Sequence, residues 1–146
     1  LEHFVDPWET LRACQPLLTP TGRVVASIPN IRWLNTSLRL LLRGEWRYEE
    51  TGMLDRTHLR FFTRSGIHTL FADSGFEIVE LYPFNQHTAT GRAAAILRLF
   101  GHRFDDLLAM HFAVAAVHPL VFPTDGTWVP GSRDIPTGVQ KLRCSA

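Results

Sequence analysis

The run over residues 23–29 (RVVASIP) constrains this chain most. Val24, Val25 and Ile28 are enclosed between Gly22 and Pro29, and a short apolar run between two breakers is the mark of a buried strand. A helix start is written just upstream of it. Asp6 can accept from free first-turn amides, Pro7 suits the first helical position, and Glu9 sits where a capping box places a carboxylate. Trp8, Leu11 and Leu18 recur near helical spacing, Pro16 removes an amide donor from the last turn, and Thr19-Pro20-Thr21-Gly22 breaks the element. Helix, turn and buried strand make half of a βαβ unit, so an α/β sheet is expected.

The remaining pattern extends that reading. Over 31–43 the leucines at 34, 38, 41 and 42 follow the helical period, Arg32, Asn35, Arg39 and Arg43 take another face, and Gly44 ends the helix. Residues 45–57 have no period and read as a loop; 58–62 (HLRFF) read as a brief extended piece. Thr63 caps a further helix with Ile67, Leu70 and Phe71 inward and Gly75 at its stop. Strands are expected over 76–82 and 109–117, with a helix over 91–101 between them and the last two strands antiparallel. After His118 the texture changes to a Pro/Gly-rich stretch, so 1–118 is expected to be the folded unit and 119–146 an irregular tail.

Composition narrows the function classes. The 146 residues are 45% apolar and carry a formal charge of +1, which excludes wholesale disorder and bulk nucleic-acid binding. No apolar run has the length of a membrane span. All basic residues but Lys141 are arginine, a coding bias more than a function. Cys14 and Cys144 form no disulfide framework or zinc spacing, and no signal peptide is read at the start, so a cytoplasmic location is expected. The seven histidines show no HxxxH or HxH spacing, and no metal is expected. The chain opens at Leu1, inside what reads as a structural element, and is expected to be a piece of a longer protein.

Three stretches together resemble the C-terminal half of a class I S-adenosylmethionine-dependent methyltransferase of the bacterial kind associated with polysaccharide and natural-product clusters. They are Leu1-Glu2-His3 with Asp6-Pro7 and Leu11; the turn Leu17-Leu18-Thr19-Pro20-Thr21-Gly22 leading into 24–30 (VVASIPN); and 55–63 (DRTHLRFFT) followed by Leu70-Phe71 and Gly75-Phe76. Their order and spacing carry the resemblance over residues 1 to about 118. It implies a partial Rossmann-like sheet, mostly parallel with an antiparallel last strand and helices on its faces. Two departures matter. Thr21 stands where the family usually has a second glycine, and the family's glycine-rich loop and ribose-binding acid would lie before Leu1. The cofactor of that fold lies at the switch point of the sheet. This chain, keeping one wall of that cleft, is therefore expected to bind S-adenosylmethionine weakly or not at all and to be inactive by itself.

The resemblance also implies site residues. Leu1, Glu2 and His3 would end a strand and touch the cofactor or the acceptor, or simply pack as a fraying strand end. Pro29 and Asn30 could line the acceptor cleft, with Asn30 alternatively capping the next helix. Methyl transfer from a sulfonium is a one-step displacement governed by alignment, and a hydroxyl acceptor also needs a base. His58, with Asp55 to orient it, is the candidate, against a purely structural role for the ring in joining loop to sheet. Arg60 belongs to an arginine-rich segment interleaved with Trp33, Trp46 and Tyr48 that could receive a phosphorylated or sugar-nucleotide acceptor, or lie on a membrane surface; a plain solvated face is the bland alternative. His68, His87 and His102 read as surface residues. The leading function is methyl transfer to O or N of a small-molecule or glycan-type acceptor. The competing one is a non-catalytic α/β interaction module whose open sheet edge recruits another chain, which predicts homodimerisation or aggregation through that edge.

Overall fold

The computed structural model describes residues 1–84 and 106–119. The expected helix over 91–101, His87, His102 and the tail from 120 onward lie outside the described residues.

The first helix, α1 (Pro7–Cys14), begins as its sequence dictates: the Asp6 side chain accepts from the Glu9 amide at 2.8 Å. Pro16 acts as expected, since α1 gives way at Gln15 to a single 3-10 turn, Gln15–Leu17. Strand β1 (Val24–Pro29) follows. Helix α2 (Leu34–Arg43) starts three residues later than its periodicity suggests. The cause lies in the preceding backbone: the Ile31 amide donates to the Phe62 carbonyl and the Trp33 amide to the Asn30 carbonyl, both at 2.9 Å, holding 30–33 in a turn. Gly44 ends α2 at φ 64°, the left-handed conformation that glycine adopts at least cost.

Helix α3 (Arg64–Asp73) is capped by Thr63, whose hydroxyl accepts from the Gly66 amide. Ile67, Leu70 and Phe71 are fully buried on it, as their spacing predicts. Strands β2 (Glu77–Phe84) and β3 (His111–Val117) complete the fold, with a short 3-10 turn over 106–108 before β3.

The sheet has the order β1-β3-β2, and β3 is antiparallel to both neighbours. The described residues do not form the expected mostly parallel sheet: β1 and β2 do point the same way, but β3 lies between them, so both ladders among the described residues are antiparallel. Parallel pairing among the described residues is confined to single bridges, Asn30 with Phe62 and Glu49 with Asp55.

Register puts one face of the sheet in the core. Val24, Ala26 and Ile28 oppose Ala116, Val114 and Phe112, and on the other side Leu81 opposes Val114. Ile28, Phe112, Val114 and Ala116 pack with Leu11 of α1 and Ile67, Leu70 and Phe71 of α3. Two polar ties fix these helices together, because Gln15 Nε2 donates to the Ser74 carbonyl at 2.7 Å and the Ser74 hydroxyl to the Trp8 carbonyl at 3.4 Å. By contrast, Leu41 and Leu42 of α2 are exposed, so the apolar stripe of that helix is not buried by the described residues.

Candidate functional site

Because β3 runs opposite to its neighbours, its first residue meets the carboxyl ends of both. Pro29, His111 and Phe84 therefore form one row across the sheet, on the side where open α/β sheets bind ligands. Asn30 follows directly. It is fully buried, and its amide nitrogen donates to the carbonyls of Asp106 at 2.6 Å and Ala109 at 2.8 Å. Its Oδ1 accepts from the Arg32 amide at 3.1 Å. Arg32 in turn grips both Asp106 carboxylate oxygens, at 2.7 and 2.8 Å. Asn30 thus shapes the wall by holding the entry to β3, and Trp33 rather than Asn30 occupies the N-cap of α2.

The opening segment is stapled to the loop before α3. The Glu2 carbonyl accepts from the amides of Leu59 at 2.7 Å and Arg60 at 3.0 Å. The Arg60 guanidinium donates twice to the Val5 carbonyl. Arg60 therefore pins the N-terminal segment, and its bonded edge is turned to protein.

This stapling brings residues 55 positions apart into one cluster. Glu2, His3 and His58 have ligand-type atoms within 4.8 Å of one another. The two imidazoles meet edge to face with centroids 4.8 Å apart, and His3 Nε2 stands 3.7 Å from Glu2 Oε1. Glu2 Oε2 accepts from the Leu1 backbone nitrogen at 3.0 Å.

The two ring tautomers follow from their neighbours. His58 Nδ1 lies 3.1 Å from the Met53 carbonyl, which can only accept, so Nδ1 carries the hydrogen. His3 Nδ1 lies 3.2 Å from the Thr57 carbonyl and 3.1 Å from the Thr57 hydroxyl. That hydroxyl spends its hydrogen on Asp55 Oδ1 at 2.7 Å, so His3 Nδ1 must also donate. In the neutral rings both Nε2 lone pairs are left free, and the His58 residue as a whole is only 9% exposed.

The expected Asp55–His58 dyad takes a different form. The Asp55 carboxylate bonds the Thr57 amide and hydroxyl, which lower its pKa, and orients His3 through Thr57; the Met53 carbonyl is what orients His58. His111 is the site residue that sequence reasoning missed. Its Nδ1 is buried without a partner. Burial lowers its pKa, Glu2 opposes that shift and His58 adds to it, so all three groups share one electrostatic neighbourhood. Only its place as the first residue of the last strand could have flagged it.

An α/β sheet with polar and titratable groups gathered at its strand ends defines the general class. A family model described as "Methyltransferase domain" matches residues 1–81. The chain belongs to that family, and over those residues it is a class I S-adenosylmethionine-dependent methyltransferase-like domain. No curated protein gives a significant match.

Proposed function

We propose that this chain forms the acceptor side of an S-adenosylmethionine-dependent methyl transfer site acting on an oxygen or nitrogen of a small-molecule or glycan-type acceptor. Family membership supports methyl transfer in general. The observation that carries the acceptor role is the enclosed His58 ring, whose Nδ1–H is fixed on the Met53 carbonyl. Its Nε2 is therefore the atom that takes the proton from the acceptor, while Pro29 and the Asn30-held loop form the wall beside it. Asp55 and Arg60 act as positioning residues, Asp55 through Thr57 and Arg60 through the Val5 carbonyl.

The described residues do not by themselves fit the nucleoside donor. Their left-handed glycines, Gly44, Gly52 and Gly75, close α2, a loop tip and α3, and none of them follows a strand. Leu1, Glu2 and His3 consequently enter the proposal at the margin where donor and acceptor meet, and the donor supplies only the methyl group.

The test is methyl transfer from labelled S-adenosylmethionine to a panel of phenols, hydroxy acids and sugar nucleotides, using the protein that carries this domain. His58→Gln is expected to lower turnover by roughly 10²–10⁴-fold, the range for a lost general base, with the circular dichroism spectrum unchanged. Full turnover in a folded His58→Gln protein would sink the base assignment.

A further inference from the structure

We propose that Glu2, His3 and His58 form a binding site for a divalent cation of the zinc class, coordinated by one Glu2 carboxylate oxygen and the Nε2 atoms of both histidines. Three observations converge on it. One ligand-type atom from each of the three residues already lies within 4.8 Å of the other two, and the Glu2 Oε1 to His3 Nε2 separation of 3.7 Å is close to the ~3.3 Å expected between two ligands of one tetrahedral zinc. Both histidines direct Nδ1–H at a backbone carbonyl, Met53 for His58 and Thr57 for His3. That is the outer-shell arrangement that fixes a metal-binding tautomer and raises the basicity of the other nitrogen. Finally, the set of two imidazoles and one carboxylate suits zinc and leaves one coordination position for a small oxygen or nitrogen ligand.

The outer shell is unequal. The His3 tautomer depends on a relay from Asp55 through the Thr57 hydroxyl, whereas His58 depends on the Met53 carbonyl alone. Asp55 is therefore a positioning residue for the ion although it does not touch it. On the acceptor-base reading above, on which this one step rests, an ion on His58 Nε2 occupies the lone pair that receives the acceptor's proton. Zinc occupancy and turnover then exclude each other, and the ion acts as an inhibitor.

The experiment titrates Zn²⁺ calorimetrically into the full chain carrying Cys14→Ser and Cys144→Ser, which removes competing thiols, and records the visible spectrum with Co²⁺. One equivalent is expected to bind, with the intense bands of four-coordinate cobalt. His3→Ala and Glu2→Gln should each weaken binding more than tenfold, Asp55→Asn by about tenfold, and His68→Ala not at all. His3 is half exposed, with its side chain at 52%, so His3→Ala keeps the fold and the test does not depend on the buried His58. Absence of saturable binding, or binding indifferent to both His3→Ala and Glu2→Gln, overturns the site. Methyl transfer by the protein that carries this domain is then assayed with and without zinc. Zinc that binds without slowing turnover overturns the inhibitory step and the base reading together, leaving the cation site; absence of zinc binding alongside a turnover loss in His58→Gln overturns the site and leaves the base.

Discussion

His111 shows how a single side chain couples this site to stability. Its folded pKa is depressed, chiefly by burial, so the unfolded chain binds a proton more readily than the folded one. Stability is then undiminished above the unfolded value of about 6.5 and falls as the pH drops below it. Urea unfolding at pH 7.5 and 5.5 should show a loss in the natural sequence that is smaller in His111→Phe; equal losses would remove His111 as the cause. Asn30 makes a second residue-scale case. Asn30→Ala leaves the carbonyls of Asp106 and Ala109 without their donor inside the fold, a change expected to cost about 2–4 kcal/mol in the same measurement. Asn30 was legible in the sequence as a strand-end residue and an alternative cap. The two carbonyls its amide nitrogen bonds, more than seventy positions away, were not.

Elements were the more readable scale, because caps and breakers act within a few residues. Asp6, Thr63, Gly44 and the Pro16 break all behave as local chemistry requires. Asp6→Ala is expected to lower stability by about 1 kcal/mol, whereas Phe71→Ala, emptying a fully buried position on α3, should cost about 3–5 kcal/mol. Thermal melts would separate the two; similar shifts would mean that the core around Phe71 collapses onto the gap. The start of α2 was misread because helical period says nothing about a backbone already committed elsewhere. The Ile31 amide is taken by Phe62, a partner in another segment.

At the scale of the whole molecule, the outer side of β1 governs behaviour. Among the described residues β1 forms a ladder with β3 alone, with a single bridge from Asn30 to Phe62, and Val25 is 75% exposed. Unpaired edges template pairing with another strand, so a second copy of the chain is expected to dock there. Sedimentation should show a dimer that Val25→Lys dissociates, and a clean monomer at high concentration would refute it. On the proposal that this chain supplies only the acceptor side of the cleft, calorimetry with S-adenosylmethionine should give no micromolar binding by it; micromolar binding would contradict that proposal.

The sequence by itself determined the elements, their order and the family resemblance, because capping, breaking and apolar spacing are settled by near neighbours along the chain. Only the tertiary structure decided that β3 lies between β1 and β2, which made both ladders among the described residues antiparallel and carried His111 to the carboxyl ends of β1 and β2. It also decided that His3 meets His58. No HxxxH or HxH spacing announces that pair, since the two rings are joined by hydrogen bonds from Leu59 and Arg60 to the Glu2 carbonyl, and such contacts exist only once distant segments have packed.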